Sequence, residues 1–236
     1  MAITTNLLAS AYDSADATVY VTSSITTNAN SLILAAFATK GHSGTAAVSG
    51  ASLSFATVAT ISNVAMRLTV FRARRNNSNT GVLSFSISAG ATAACWIVSE
   101  FLNVDGSGSA GAGAVVQFSS TARAGGLVGG SLDLSLGAFA SSTNAFWGVM
   151  TRDHNDSVSP AATFVELADV HGTAAAMGLE SQWTVGAAAV DNVVTFDTFL
   201  VSRSGVAAIA IEIAQSAGAA AAQLFFKRLL TLGVGA

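Results

Sequence analysis

The chain has 236 residues, of which 51% are hydrophobic and 10% are charged, and its formal net charge is −3. A negative balance with few cations argues against nucleic-acid binding, because phosphate contacts require clustered Lys and Arg. No apolar run reaches the roughly 20 residues of a membrane-spanning helix, so no membrane association is predicted.

The scarcity of charge is the main indication of how this protein behaves. A folded monomer of this mass exposes about 9,800 Å² of surface, and so few ionised side chains cover such a surface thinly. We therefore expect neighbouring subunits to cover part of the surface, and the sequence points to a component of an assembly.

The N-terminal part of the chain predicts an arm followed by strands. Residues 1–15 show no clear hydrophobic period and are predicted to be an arm that contacts neighbours. Residues 17–22 alternate as a half-buried strand does, and residues 31–38 are apolar on both faces, which is typical of a central strand. Turns rich in Gly, Asn and Ser separate such segments, as they do in antiparallel sandwiches.

The middle of the chain continues this pattern after a glycine-rich interruption. Residues 105–130 are predicted to contain loops within one sandwich, interrupted by one strand-like piece at residues 114–119, with an interdomain linker as the alternative. Alternation resumes at residues 131–136 and recurs as far as residue 213, giving about twelve to fourteen strands in all. The predicted fold class is an all-β antiparallel sandwich that occupies residues 16–215.

The last segment, residues 216–236, has a different composition. Its run of alanines favours a short C-terminal helix or arm. Its large apolar side chains are candidate assembly contacts, with packing against the chain's own sandwich as the alternative: Leu224, Phe225, Leu229 and Leu232.

No catalytic, cofactor-binding or metal-binding residues are predicted. The nucleophile motif G-x-S-x-G is missing, and no Cys or His residues have the spacing of a zinc site. The single cysteine, Cys95, lies in an apolar run and is predicted to be buried. The sequence therefore favours a protein that is not an enzyme.

A carbohydrate or host-receptor contact is the alternative use of the surface. Trp183 has polar neighbours, and Asp153 and Asn155 lie in the most polar loop of the chain. That loop does not match a calcium-binding loop, because Val158 and Phe164 occupy the positions of the required Gly and Glu.

Residues 27–105 have a recognisable sequence of motifs, with the opening Thr27-Asn28-Ala29-Asn30-Ser31-Leu32, the turn at residues 48–53 and the closing Trp96-Ile97-Val98-Ser99-Glu100-Phe101-Leu102-Asn103-Val104-Asp105. In these motifs, the segment resembles the jelly-roll domains of tailed-bacteriophage virion proteins. The resemblance implies a concanavalin-like or viral jelly-roll sandwich and a virion structural role, such as a capsid decoration protein, a head fibre or a tail component.

Composition and resemblance together predict a structural subunit located in the virion. Its expected partners are further copies of itself, with a trimer favoured, and other virion proteins such as the major capsid or tail protein. The alternative is a lectin-like module that binds a host glycan or receptor through Trp183 or the Asp153 loop.

Overall fold

The structure is a computed structural model that describes residues 1–41, 44–63, 65–127, 131–186, 192–196 and 203–217. Its regular structure is almost entirely β, with one short 3₁₀ segment at Ser109–Ala114. The described strands are β1 (Thr4–Asp13), β2 (Ala17–Val21), β3 (Ile25–Thr27), β4 (Ser31–Lys40), β5 (Ala46–Gly50), β6 (Phe55–Ser62), β7 (Met66–Arg75), β8 (Asn79–Gly81), β9 (Leu83–Ala91), β10 (Ala93–Leu102), β11 (Val115–Leu127), β12 (Leu132–Ser135), β13 (Ala145–Arg152), β14 (Val165–Gly172), β15 (Met177–Val185), β16 (Val193–Phe196) and β17 (Arg203–Ile213).

The strands form a stack of four antiparallel layers. The two inner layers are five-stranded sheets with the orders β1-β10-β4-β7-β6 and β11-β17-β13-β15-β14. The outer layers are the three-stranded sheet β2-β9-β5 and the two-stranded sheet β12-β16, and β3 pairs with β8 beside them. We call β1 to β10 the first half and β11 to β17 the second half.

Three apolar cores hold the layers together. The central core lies between the two five-stranded sheets and includes Leu34, Leu68, Trp147 and Ile211. A second core lies under β2-β9-β5, and a third lies under β12-β16. Both inner sheets are therefore buried on both faces, which explains why β4 and β10 are apolar almost throughout.

The two halves share one strand order. Within each five-stranded sheet, the strands numbered by their appearance along the chain lie in the order first, fifth, second, fourth, third. In each half, the outer strand that follows the first inner strand pairs with the outer strand that precedes the fifth inner strand. These pairs are β2-β9 and β12-β16. The chain is thus built from two copies of one topology.

The pairing register supports this equivalence. Glu100 of β10 lies opposite Ile33, and Glu212 of β17 lies opposite Phe146. When the halves are aligned so that Glu100 matches Glu212 and Ile33 matches Phe146, the β-bulge of β6 opposite residues 70–71 matches the β-bulge of β14 opposite residues 181–182. Met66 and Met177, the first residues of β7 and β15, also become equivalent. An irregularity that recurs at the same place indicates a repeated unit.

The two halves meet directly where β10 and β17 finish. Val104 and Gln215 form an antiparallel bridge. The backbone N–H of Asp105 donates to the carbonyl of Ala214, and that of Ser216 donates to the carbonyl of Asn103, each over 2.9 Å. We call this end of the molecule, where the last strands of both halves end, the closing end.

The prediction of an all-β antiparallel sandwich is confirmed. Jelly-roll connectivity stays a prediction, and the strands are more numerous than expected and divide into two similar halves. Residues 105–114 connect these halves across the shared central core, and β11 follows directly. No helix among the described residues is long and apolar enough to cross a membrane.

The N-terminal residues 4–13, expected to be part of an arm, form the edge strand β1. A bulge between Leu7 and Ala9 shifts the strand by one residue, so the hydrophobic alternation changes face midway and no period is visible in the sequence. The predicted apolar contacts of the C-terminal segment, Leu224, Phe225, Leu229 and Leu232, lie outside the described residues.

Candidate functional site

A buried carboxylate occupies the fifth strand of the first half's inner sheet. Glu100 is fully buried. Its side-chain oxygens accept hydrogen bonds from the backbone N–H and the side-chain amide of Asn28, each over 2.6 Å, and from the amide of Asn6 over 3.1 Å. The carboxylate thereby ties β1 and the loop that precedes β4 to β10.

The second half repeats this arrangement with Glu212, which is also fully buried. Its oxygens accept from the Asn144 amide over 2.6 Å, from the Gln117 amide over 2.7 Å and from the backbone N–H of Ala140 over 2.8 Å. Asn144 immediately precedes β13, whereas Asn28 lies three residues before β4, and Gln117 lies opposite Glu212 as Asn6 lies opposite Glu100. Because both halves keep this carboxylate, we assign it to the fold.

A second polar cluster occurs in the second half, at the end opposite the closing end. The side chain of Arg152 is fully buried. Its Nη2 lies 2.5 Å from Oδ1 of Asp169, and its Nε donates to the carbonyl of Asp156 over 2.8 Å. The other oxygen of Asp169 accepts from the backbone N–H of Val158 over 2.9 Å. This cluster fastens residues 153–158 to the sheet.

The Arg152 guanidinium fits at this position because residue 178 is glycine. A Cβ on Gly178 would lie 2.6 Å from Cζ of Arg152, so any larger residue would displace the side chain. Glu180 lies opposite Asp169 in the sheet and is also fully buried. The ion pair of Arg152 and Asp169 therefore lies beside a second carboxyl group in the same sheet, and removing the cation would leave Asp169 without its charged partner.

The equivalent positions of the first half hold threonines. Alignment of the two halves places Thr39 at Arg152, Thr60 at Asp169 and Thr69 at Glu180. The hydroxyl oxygens of Thr60 and Thr69 are hydrogen-bonded over 3.2 Å. The ion cluster is thus an addition to the repeated unit, and the fold does not require it.

Two ionisable groups around this cluster have raised pKa values. Burial, and next the Asp169 carboxylate, raise the pKa of Glu166. Burial also raises the pKa of Cys95, which keeps its thiol protonated and unreactive. Among the described residues, no group of three His, Cys, Asp or Glu side chains could hold a metal ion.

The residues predicted to contact a glycan lie far apart. Trp183 is half-buried and packs edge-on against Phe101, with ring centroids 6.2 Å apart, at the closing end. Trp183 pairs with Trp147 of β13. Arg152 lies five residues after Trp147 along that strand, about 17 Å away, and Asp153 follows Arg152. Asn155 is half-buried in the loop held by Arg152. Trp183 and the Asp153 loop therefore do not form one site.

The outer sheet β2-β9-β5 presents a surface of a different kind. None of its strand residues is charged. Tyr20, Phe85 and Val48 point inward, so the outward positions alternate with them and are Val, Ser and Ala. Val19, Val21 and the neighbouring Val82 are 50%, 51% and 46% exposed. We call this surface the neutral face.

Sequence reasoning missed Glu100, Glu212 and Arg152. Each is a charged residue next to an apolar run of its strand, and that pattern was the available signal, because a buried charge needs a partner elsewhere in the fold. Searches of protein-family models, of curated proteins and of solved structures found no match to this chain.

Proposed function

We propose that this chain is a non-enzymatic structural subunit of a bacteriophage virion that assembles by self-association on the capsid or tail. The neutral face carries the proposal. A sheet face with three exposed valines and no charged residue in its strands is costly to leave in water and meets no charge repulsion against another copy.

Two further features support a structural role. The resemblance of residues 27–105 to virion jelly-roll domains implies such a role, and it covers β5 and β9, two of the three strands that form the neutral face. The polar groups buried in the sheets, Glu100, Glu212 and Arg152, are bonded to neighbouring loops and strands, as expected of groups that stabilise a scaffold.

Self-association is tested by sedimentation velocity over a hundredfold range of protein concentration. We expect a discrete oligomer, with a trimer favoured. Val19→Lys with Val21→Lys should lower the mass, because each change places a cation on the neutral face. The matched control is Val165→Lys, a valine that is 59% exposed on β14. A monomeric wild-type chain at every concentration contradicts the proposal.

The virion location needs a separate measurement. Particles of the phage that encodes the chain are purified on a density gradient, and their proteins are identified by mass spectrometry. We expect the chain at a constant ratio to the major capsid or tail protein. Its recovery only in the soluble fraction of the lysate would exclude a virion role and leave self-association to be judged by its own experiment.

A further inference from the structure

Two arginines of β7 lack the partners that half-buried cations normally have. Arg72 and Arg74 are both half-buried, and their Nε atoms are buried without a hydrogen-bond partner. No carboxylate of the described residues lies within 4.0 Å of either guanidinium, and neither donates a hydrogen bond within the described part of the chain. Such a pair is costly unless an anion satisfies it.

The arginines point in one direction because they are two residues apart on a strand. They lie opposite Leu34 and Leu32, whose side chains face the central core, so they border that core at the closing end. A Cβ on Gly106 would collide with the Arg74 guanidinium, so glycine is required where the connecting segment passes over this side chain. The backbone is thus shaped around Arg74.

The fold itself does not require arginine at these positions. The equivalent residues in the second half are Trp183 and Val185, which lie opposite Trp147 and Ala145 as Arg72 and Arg74 lie opposite Leu34 and Leu32. One half of the molecule therefore carries a hydrophobic pair where the other carries two cations. This difference indicates that the arginines have a role other than stabilising the fold of their own chain.

Charge complementarity identifies the partner. The chain carries 13 acidic and 10 basic side chains. Asp16 and Asp133 are exposed and form no hydrogen bond or ion pair with the described residues. Guanidinium groups bind carboxylates in a planar, two-bonded geometry, and this pairing is favourable where water is partly excluded.

We infer that Arg72 and Arg74 form an intersubunit contact that accepts a carboxylate of a second copy of this chain. The contact rests on the proposed self-association and adds to the neutral face a polar, directional element that sets the orientation of the subunits. The two surfaces are separate, because the arginines face the central core side of the inner sheet and the neutral face lies on the outer sheet.

The test compares three chains by sedimentation velocity. Arg72→Gln with Arg74→Gln should raise the dissociation constant about tenfold or more, because two charged contacts are lost. Arg123→Gln, which removes an exposed arginine of β11 with no described contact, should leave the constant unchanged. Wild-type association should weaken between about 0.01 M and 1 M salt, as the Debye length falls from about 30 Å to about 3 Å.

The outcomes separate this contact from the proposed function. An oligomeric wild type whose dissociation constant is the same in the Arg72→Gln, Arg74→Gln variant overturns the contact and leaves self-association intact. A monomeric wild type overturns both. Circular dichroism checks folding, and if the glutamine variant is unfolded, Arg72→Lys with Arg74→Lys takes its place, because lysine keeps the charge but loses the planar two-bonded geometry.

Discussion

The two halves of this chain share a strand order, a bulge position and a buried glutamate, but each half carries charged groups that the other lacks. Glu100 and Glu212 occupy equivalent places, and each accepts hydrogen bonds from an asparagine that precedes the second strand of its inner sheet and from a side-chain amide of the first strand. The threonine pair Thr60 and Thr69, in contrast, is replaced in the second half by Asp169 and Glu180 beside a buried arginine. We infer that the polar groups present in both halves are needed by the fold, and that those present in only one half are available for another role.

The largest expected effect comes from Arg152→Thr, which introduces the residue of the first half at the equivalent position. We expect the free energy of unfolding to fall by about 3–5 kcal/mol, because Asp169 would be left in the sheet without its cation. Urea unfolding measures the change. The control, Arg123→Thr at an exposed arginine, should stay within about 0.5 kcal/mol of wild type.

A triple variant sharpens this comparison. Arg152→Thr, Asp169→Thr and Glu180→Thr together rebuild the threonine arrangement of the first half and remove the carboxylates of the sheet that lie beside Arg152, whereas Asp156, 3.6 Å from Nε of Arg152, is present in both variants. The triple variant should therefore be more stable than the single variant. A triple variant less stable than the single one would show that the loop contacts, rather than the charges, dominate.

The shared glutamates should give the second largest effect, and the same one in both halves. Glu100→Gln and Glu212→Gln each place an amide NH₂ among hydrogen-bond donors, so each should lower the free energy of unfolding by about 2–3 kcal/mol. Urea unfolding of the two variants side by side measures this. Losses that differ by more than about 2 kcal/mol would show that the two carboxylates are not equivalent supports.

The smallest expected effect concerns Glu166, which is exposed beside the ion cluster. Burial and the Asp169 charge raise its pKa in the folded state. The folded protein then holds this proton more tightly than the unfolded chain, so the contribution of Glu166 to stability falls as pH rises through the raised pKa. Glu166→Gln should raise Tm by about 1 °C at pH 7 and leave it unchanged below pH 4, since solvent screens an exposed group.

Thermal unfolding as a function of pH checks this prediction. The control is Asp16→Asn, at an exposed carboxylate of the first half between β1 and β2. A Glu166→Gln protein that is less stable than wild type at pH 7 would mean that the carboxylate is favourable where it lies, and that the cluster does not repel it.

The sequence was sufficient for the strands that alternate without interruption. In β9, Leu83, Phe85 and Ile87 alternate with serines and are buried, and the leucines of β12 are buried in the same way. It was not sufficient for β1, where a bulge changes the face that the apolar side chains occupy. Trp183 was singled out for its polar neighbours, but a distant residue, Phe101, packs against its ring.

The duplicated topology was also invisible in the sequence. Few residues match between the halves beyond Met66 with Met177, Leu68 with Leu179 and the two buried glutamates. A sandwich core accepts many combinations of apolar side chains of similar volume, so two copies of one topology retain little sequence similarity.

The sequence by itself determined the strand content, the antiparallel sandwich and the scarcity of surface charge, because period-two alternation and composition depend only on neighbouring residues. Only the tertiary structure decided that the strands divide into two like halves packed face to face, that Arg152 meets Asp169, and that Arg72 and Arg74 meet no carboxylate. These features depend on register between strands far apart along the chain, and the spacing of residues in one strand carries no information about the strand against which it will pack.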